Sequence, residues 1–217
     1  MRIRKKNWTE EELETSKYLI NEPETLKGRW KEKFGNDNPI HIEIGCGKGK
    51  FISEMSKLNP DINYVGIEKF TMVVSRALRK CKLIDAGNNV YIMSKDAEEL
   101  ENVFEPGEIK RIYLNFSDPW PNRKKWIKKR LTNERFLERY EKAFGESGEV
   151  FLKTDNREFF EYSIQSFSEK GWVLKNISLD LHNSAFEGNV MTEYEKKFSE
   201  QGMPIYRLEA YYNSKKN

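Results

Sequence analysis

The chain has 217 residues, 38 Lys and Arg against 35 Asp and Glu and a formal charge of +3, which fits one α/β domain with decoration better than two full domains. No apolar run reaches bilayer length and no apolar segment follows the basic N-terminus, so this reading excludes a membrane span and a secretory leader and expects a cytoplasmic protein. Two cysteines, Cys46 and Cys81, without C-x-x-C spacing, point to a reducing compartment and away from zinc, and no metal site is expected.

Residues 1 to 8 are basic (Arg2, Arg4, Lys5, Lys6) and expected to be mobile. Thr9-Glu10-Glu11-Glu12 has capping-box spacing and predicts a helix to about Ile20. Residues 21 to 39 carry two prolines, two glycines and Asn36-Asp37-Asn38 and read mostly as connection, with Trp30 and Phe34 packing a short helical turn onto the body. Ile40 to Ile44 alternates apolar and polar, runs into a glycine turn, and resumes at helical spacing with Phe51, Ile52, Met55 and Leu58. A second strand (Asn63 to Ile67), a helix over 69–84, a third strand (Asn89 to Met93), a short helix (Ala97 to Val103) and a fourth strand (Ile109 to Phe116) follow. Beyond them come a helix over 132–145, a strand from Gly148 to Lys153, a helix over 155–169 and a strand from Trp172 to Leu179. A polar loop over 180–191, a helix opened by Thr192 and a last strand from Tyr206 to Tyr212 close the chain. Repeated βα units with right-handed crossovers predict an α/β doubly wound fold, a parallel sheet with helices on both faces, the last strand inserting antiparallel.

Gly45, Gly47 and Gly49 form G-x-G-x-G between the first strand and its helix, a turn that lets backbone N–H groups approach a ligand. Three acids surround it: Glu43 just before the turn, Glu68 at the end of the second strand, and Asp96 after the third, which also fits as an N-cap. Acids at the carboxyl ends of neighbouring parallel strands converge on one crevice. Glu68 suits the hydroxyls of a ribose. Glu43 would repel a pyrophosphate but suits the cationic ammonium and sulfonium of S-adenosylmethionine, and Lys50 replaces the last glycine of the dinucleotide fingerprint. His41 and His182 have no ligand pattern around them and read as structural.

The stretch Asn115-Phe116-Ser117-Asp118-Pro119-Trp120-Pro121 places one carboxylate, Asp118, in a loop stiffened by two prolines at the end of the fourth strand. Arg123, Lys124, Lys125, Lys128, Lys129 and Arg130 follow without an acid among them, with Trp126 able to stack on a base. A solvated helical face is the plain alternative; the pattern favours phosphate contact.

Glu-x-Gly-x-Gly-x-Gly at 43–49, Asn-Phe-Ser-Asp-Pro-Trp-Pro at 115–121, Lys-Thr-Asp at 153–155 and Thr-Glu-Tyr-Glu at 192–195 together resemble the bacterial tRNA (guanine-N7)-methyltransferases, in matched order over roughly residues 38 to 212. The resemblance implies a class I methyltransferase Rossmann-like fold, with a mostly parallel seven-stranded sheet over residues 38–217 and a basic, helix-bearing extension at 1–37. It implies S-adenosylmethionine as donor and a guanine in the tRNA variable loop as acceptor. It places Glu43, Gly45, Gly47, Gly49, Glu68, Asp96 and Asp118 at the cofactor, with Asp118 at the reaction. Asp155, Thr192, Glu193, Tyr194 and Glu195 would hold the substrate, and Lys124, Lys125, Lys128, Lys129 and Arg130 the RNA. Thr192-x-x-Glu195 is also a capping box, and Asp155 with Glu158 also fits an N-cap. Many relatives carry a lysine directly after Trp-Pro; here Asn122 stands there and Arg123 follows, so either could take its role and both are substrate candidates. A monomer or homodimer is expected. An adenine-N6 methyltransferase is disfavoured by Trp120-Pro121, a nicotinamide oxidoreductase by Glu43 and the incomplete fingerprint, and a non-catalytic RNA-binding protein by the acidic crevice.

Overall fold

A computed structural model of the chain describes residues 8–215. The basic residues of the N-terminal segment, Arg2 to Lys6, lie outside the described residues. An eight-stranded sheet runs in the order β1-β4-β3-β2-β5-β6-β8-β7. Its strands are β1 (Leu19–Ile20), β2 (Ile40–Ile44), β3 (Asn63–Glu68), β4 (Val90–Ser94), β5 (Ile109–Asn115), β6 (Ser147–Thr154), β7 (Val173–Ser178) and β8 (Tyr206–Asn213). All neighbours are parallel except β8, which enters antiparallel between β6 and β7.

The helices are α1 (Trp8–Thr15), α2 (Trp30–Phe34), α3 (Lys50–Leu58), α4 (Thr71–Leu83), α5 (Leu100–Val103), α6 (Lys124–Ile127), α7 (Glu134–Phe144), α8 (Arg157–Glu169) and α9 (Glu193–Ser199). Strand alternation divides the core in two. Ile42, Ile44, Val65, Ile112, Leu114, Val150 and Leu152 join Phe136, Tyr140 and Phe159 of α7 and α8 in one cluster. Tyr64, Ile92 and Tyr113 join Phe51, Ile52, Val74 and Leu78 of α3 and α4 in the other. β2 is buried along its whole length, as expected of a strand covered on both faces. His41 in this strand packs edge-on to Tyr64 and Tyr113; burial, with the Arg111 charge, pushes its pKa down to about 3, so it stays neutral.

The sequence reading is corrected ahead of β2. The first helix stops at Thr15, and Leu19–Ile20 continues as an edge strand on β4, making eight strands where seven are expected. Tyr18 and Ile20 are both buried, a period-2 pattern that no helix satisfies. The Tyr18 hydroxyl donates to the Ala86 carbonyl (2.8 Å), and the Ile92 N–H donates to the Tyr18 carbonyl (2.8 Å). Trp30 is fully buried, stacked on Phe104 at 5.0 Å, its indole N–H donating to the Val103 carbonyl. Loss of such a ring typically costs about 3–5 kcal/mol, and Trp30 and Ile20 both belong to the main core cluster.

β3 and β4 lie on one side of β2, and β5 and β6 on the other. The chain reverses its winding direction between β2 and β5, and the crevice outside the carboxyl ends of such a sheet is where ligands bind. Gly45, Glu68, Asp96 and Asp118 all sit at those ends.

Candidate active site

A cavity of about 580 Å³ opens over the carboxyl ends of β2, β3, β4 and β5. Gly45, Glu68, Asp96, Ser117, Asp118 and Trp120 are among its walls. Its floor is the turn after β2, where three glycines adopt the left-handed conformation: Gly45 (φ 75°), Gly47 (φ 55°) and Gly49 (φ 78°). A Cβ on Gly49 would lie 2.9 Å from the Ala77 Cα, so this glycine lets α3 close on α4. Gly45 has open space beside it, on the cavity side. The turn is held from below by Glu68, which accepts from the Gly47 N–H (3.2 Å) and the Phe70 N–H (3.0 Å).

Glu43 lies beneath the floor, buried, with Oε1 accepting from Asn115 Nδ2 at 2.9 Å and Oε2 without a partner among the described residues. Burial pushes its carboxyl up to about 7; the Asn115 hydrogen bond and the Lys153 charge oppose the rise. A buried carboxylate with one empty oxygen beside an open glycine turn fits a ligand that brings an ammonium. Asp96 caps the 3₁₀ turn Ala97–Glu99 in a full capping box and accepts from Lys69 Nζ at 2.5 Å. Burial works against its charge, but the Lys69 and Glu98 N–H hydrogen bonds outweigh it and hold the carboxyl below the usual range. Its two readings, cap and cavity wall, therefore coexist. Cys46 is buried, and burial raises its thiol well above the ordinary value, which leaves it inert.

At the cavity rim the backbone bends sharply. Phe116 (φ 55°) and Trp120 (φ 31°) take the left-handed region that non-glycine residues avoid, and they bracket Asp118. Strain of this kind costs on the order of 1–3 kcal/mol per residue and gathers at functional sites. Asp118 is exposed and makes no side-chain hydrogen bond or ion pair among the described residues. Ser117 keeps its hydroxyl buried and without a partner among them.

The second group of predicted residues meets the first through Phe116. Its ring lies 5.0 Å from the ring of Tyr194, and the Tyr194 hydroxyl donates to Asp155 Oδ2 at 3.1 Å. Asp155 is not the cap of α8; Asn156 is, accepting from the Phe159 N–H. Thr192 and Glu195 form a complete capping box on α9. Glu195 is fully buried, 2.6 Å from Lys153 Nζ, and also engages Asn189 and His182. It is thus an anchor of the site and is not presented to a substrate. Glu193 faces Lys48 and Lys80.

In the basic tract, Asn122, Arg123, Lys124, Lys125, Lys128 and Lys129 are exposed. Trp120 and Trp126 stack at 5.1 Å and 11°, with Lys129 Nζ against both rings at 4.7 and 4.6 Å. Arg130 departs from expectation: it is buried and bonded inward, so its guanidinium is not available to a phosphate in this conformation. Residues that the sequence reading missed are Asn115 and Lys153, which hold Glu43 and Glu195, and Phe70, which stands 62% exposed at the cavity edge. Phe70 could have been noticed as the aromatic following the Glu68 strand end; Asn115 and Lys153 stand inside the 115–121 and 153–155 motifs, but their distant partners carry no local signal.

This sheet order, with an antiparallel strand inserted next to the last, and the acid-ringed crevice define a class I methyltransferase fold. Solved structures agree on the fold: an antibiotic-related methyltransferase superposes with a TM-score of 0.62 at 17% identity, covering 86% of this chain and 93% of that one. A 16S rRNA methyltransferase, KamB, gives 0.62 at 12% identity, covering 86% and 92%. A family model described as "Putative methyltransferase" matches residues 37–208. The tRNA (guanine-N(7)-)-methyltransferase of Bacillus velezensis is 56% identical over 99% of both chains. That of Bacillus subtilis is 56% identical over 96% of this chain and 98% of its own, and that of Listeria monocytogenes 55% over 97% and 98%. The chain belongs to the tRNA (guanine-N7)-methyltransferase family.

Proposed function

We propose that the chain transfers a methyl group from S-adenosylmethionine to N7 of a guanine in the variable loop of tRNA, at the rim carrying Asp118. The observation that carries this reading is the junction of three features. The buried, unpartnered Glu43 oxygen lies beneath the glycine turn, the strained Asp118 loop stands above it, and five exposed cations from Arg123 to Lys129 flank the rim. The full-length relatives do not favour the adenine-N6 or nicotinamide alternatives.

S-adenosylmethionine, when bound, supplies an electrophilic methyl on a sulfonium. Guanine N7 has an in-plane lone pair and no proton, so an in-line displacement there needs alignment and no strong general base. As the N–C bond forms, positive charge develops on the purine ring. Asp118, unpaired and acceptor-only, suits bonds from guanine N1–H and N2–H₂ and stabilises that charge. Glu43 would offer its unpartnered oxygen to the donor ammonium, Glu68 would accept from the ribose hydroxyls, and Gly45, Gly47 and Gly49 would give close backbone approach. Asp155 and Tyr194, coupled by their hydrogen bond, suit the far side of the guanosine, with Asn122 and Arg123 at the near lip. Thr192, Glu193 and Glu195 shape that side through α9.

We assign the catalytic domain to residues 38–217, with 1–37 as an extension whose described part packs through Trp30. We place the enzyme in the cytoplasm, as a monomer or homodimer. Incubation with unmodified tRNA and labelled donor, followed by nucleoside analysis, should yield 7-methylguanosine; label in another nucleoside would overturn the reading.

A further inference from the structure

Arg130 ends the basic tract, yet its side chain is only 1% exposed. Nε donates to the carbonyl oxygens of Pro119 (2.8 Å) and Trp120 (3.0 Å). Nη2 donates to the Trp120 carbonyl (2.7 Å) and to Glu158 Oε1 (2.9 Å). The guanidinium also lies over the Tyr162 ring at 4.6 Å.

These bonds fall on the part of the Asp118 turn least able to hold itself. Pro119 and Pro121 have no N–H to give, and Trp120 sits at φ 31°. A planar charged fork satisfies the Pro119 and Trp120 carbonyls together, in a fixed geometry that a lysine ammonium cannot copy. The same guanidinium reaches Glu158 on α8, three residues beyond Asp155. One side chain therefore registers the Asp118 turn against the segment carrying Asp155.

We infer that Arg130 is a positioning residue for methyl transfer, fixing the Asp118 turn against α8, and is not one of the cations that grip RNA phosphate. The inference rests on the assignment of Asp118 to the reaction.

The test compares Arg130→Lys, Arg130→Ala and Asp118→Asn with the parent enzyme on full-length tRNA. Expected for both Arg130 variants is a loss of about 100-fold in kcat per folded molecule, the scale for a misplacement of about 1 Å. The tRNA Kd and its log–log salt slope should stay unchanged. Millimolar guanidinium should restore part of kcat in Arg130→Ala, and an equal concentration of potassium chloride should not. A salt slope reduced by about 0.7–0.9, the value of one lost phosphate contact, with kcat intact would overturn the inference. If Arg130→Ala loses cooperative unfolding, Arg130→Lys decides by the same kcat and slope criteria. Near-normal turnover in Asp118→Asn removes the assignment beneath the inference. An inactive Asp118→Asn beside a fully active Arg130→Lys removes the inference alone.

Discussion

Asn115 Nδ2 donates a 2.9 Å hydrogen bond to Glu43 Oε1, tying the last residue of β5 to the strand that carries the glycine turn. The bond fixes one carboxylate oxygen and leaves the other unpartnered among the described residues. It also joins the two sides of the winding reversal, so the glycine turn and the Asp118 turn share one buried contact.

Glu43 should make the empty protein less stable as pH rises. Its carboxyl sits near 7 folded against an ordinary 4.5, with burial the main cause. The folded state thus holds the proton more tightly, so the contribution favours folding in acid. It declines as pH climbs from about 4.5 through about 7 and is flat above, a change on the order of 3 kcal/mol. Glu43→Gln should remove this decline and be the more stable protein at pH 8, by urea unfolding at pH 5 and pH 8. Parallel pH dependence in the two proteins would refute this. Glu43→Gln should also weaken donor binding, since the neutral amide cannot pair with an ammonium.

The Lys153–Glu195 pair, 2.6 Å apart with both side chains buried, anchors the 189–195 segment to β6. Burial depresses the Lys153 ammonium and the Glu195 charge offsets part of that. Removing one partner leaves a bare buried charge, so Glu195→Ala should cost about 3–5 kcal/mol. Lys153→Met with Glu195→Leu should cost clearly less than the sum of the two single changes in a denaturant double-mutant cycle. Additive losses would show that the pair is not coupled.

Phe70 is a large aromatic left 62% exposed at the cavity wall, two residues after Glu68. Such a ring suits the flat face of an adenine. Phe70→Ala should raise the donor Kd about tenfold, roughly 1.4 kcal/mol, with tRNA affinity unchanged, by calorimetry with S-adenosylhomocysteine. An unaltered Kd would remove Phe70 from the donor site.

The five exposed cations Arg123, Lys124, Lys125, Lys128 and Lys129 set an expected salt response. If each neutralises a phosphate, tRNA affinity should fall by roughly two to three decades between about 50 and 200 mM salt. Each Lys→Ala change should lower the log–log slope by about 0.7–0.9 in filter binding. A flat response would take the tract out of the interface.

Much of the crevice was legible because its signals are local. A period-2 apolar run, a glycine turn and a 3.6-period helix define each βα unit, and the acids Glu43, Glu68 and Asp96 fall at predictable strand ends. The overshoot of the first helix has a local cause too. Its capping box marks a start, while Tyr18 and Ile20 form too short an alternation to announce a strand whose partners, Ile92 and Met93, lie far along the chain. Asp155 and Asn156 are neighbours that both suit an N-cap, and only the backbone path decided for Asn156.

The sequence by itself determined the doubly wound order, the acidic crevice and the Asp118 loop, because strand period, turn chemistry and strand-end position are written in runs of a few residues. Tertiary structure alone decided which charges face out. Lys129 and Arg130 are adjacent and chemically alike, yet one lies against two half-buried indoles and the other is drawn inward by two carbonyls and Glu158. Glu193 and Glu195 part in the same way, one half-exposed and the other sealed against Lys153. A charge is buried only where distant segments supply its partners, and that supply depends on contacts between segments the sequence sets far apart.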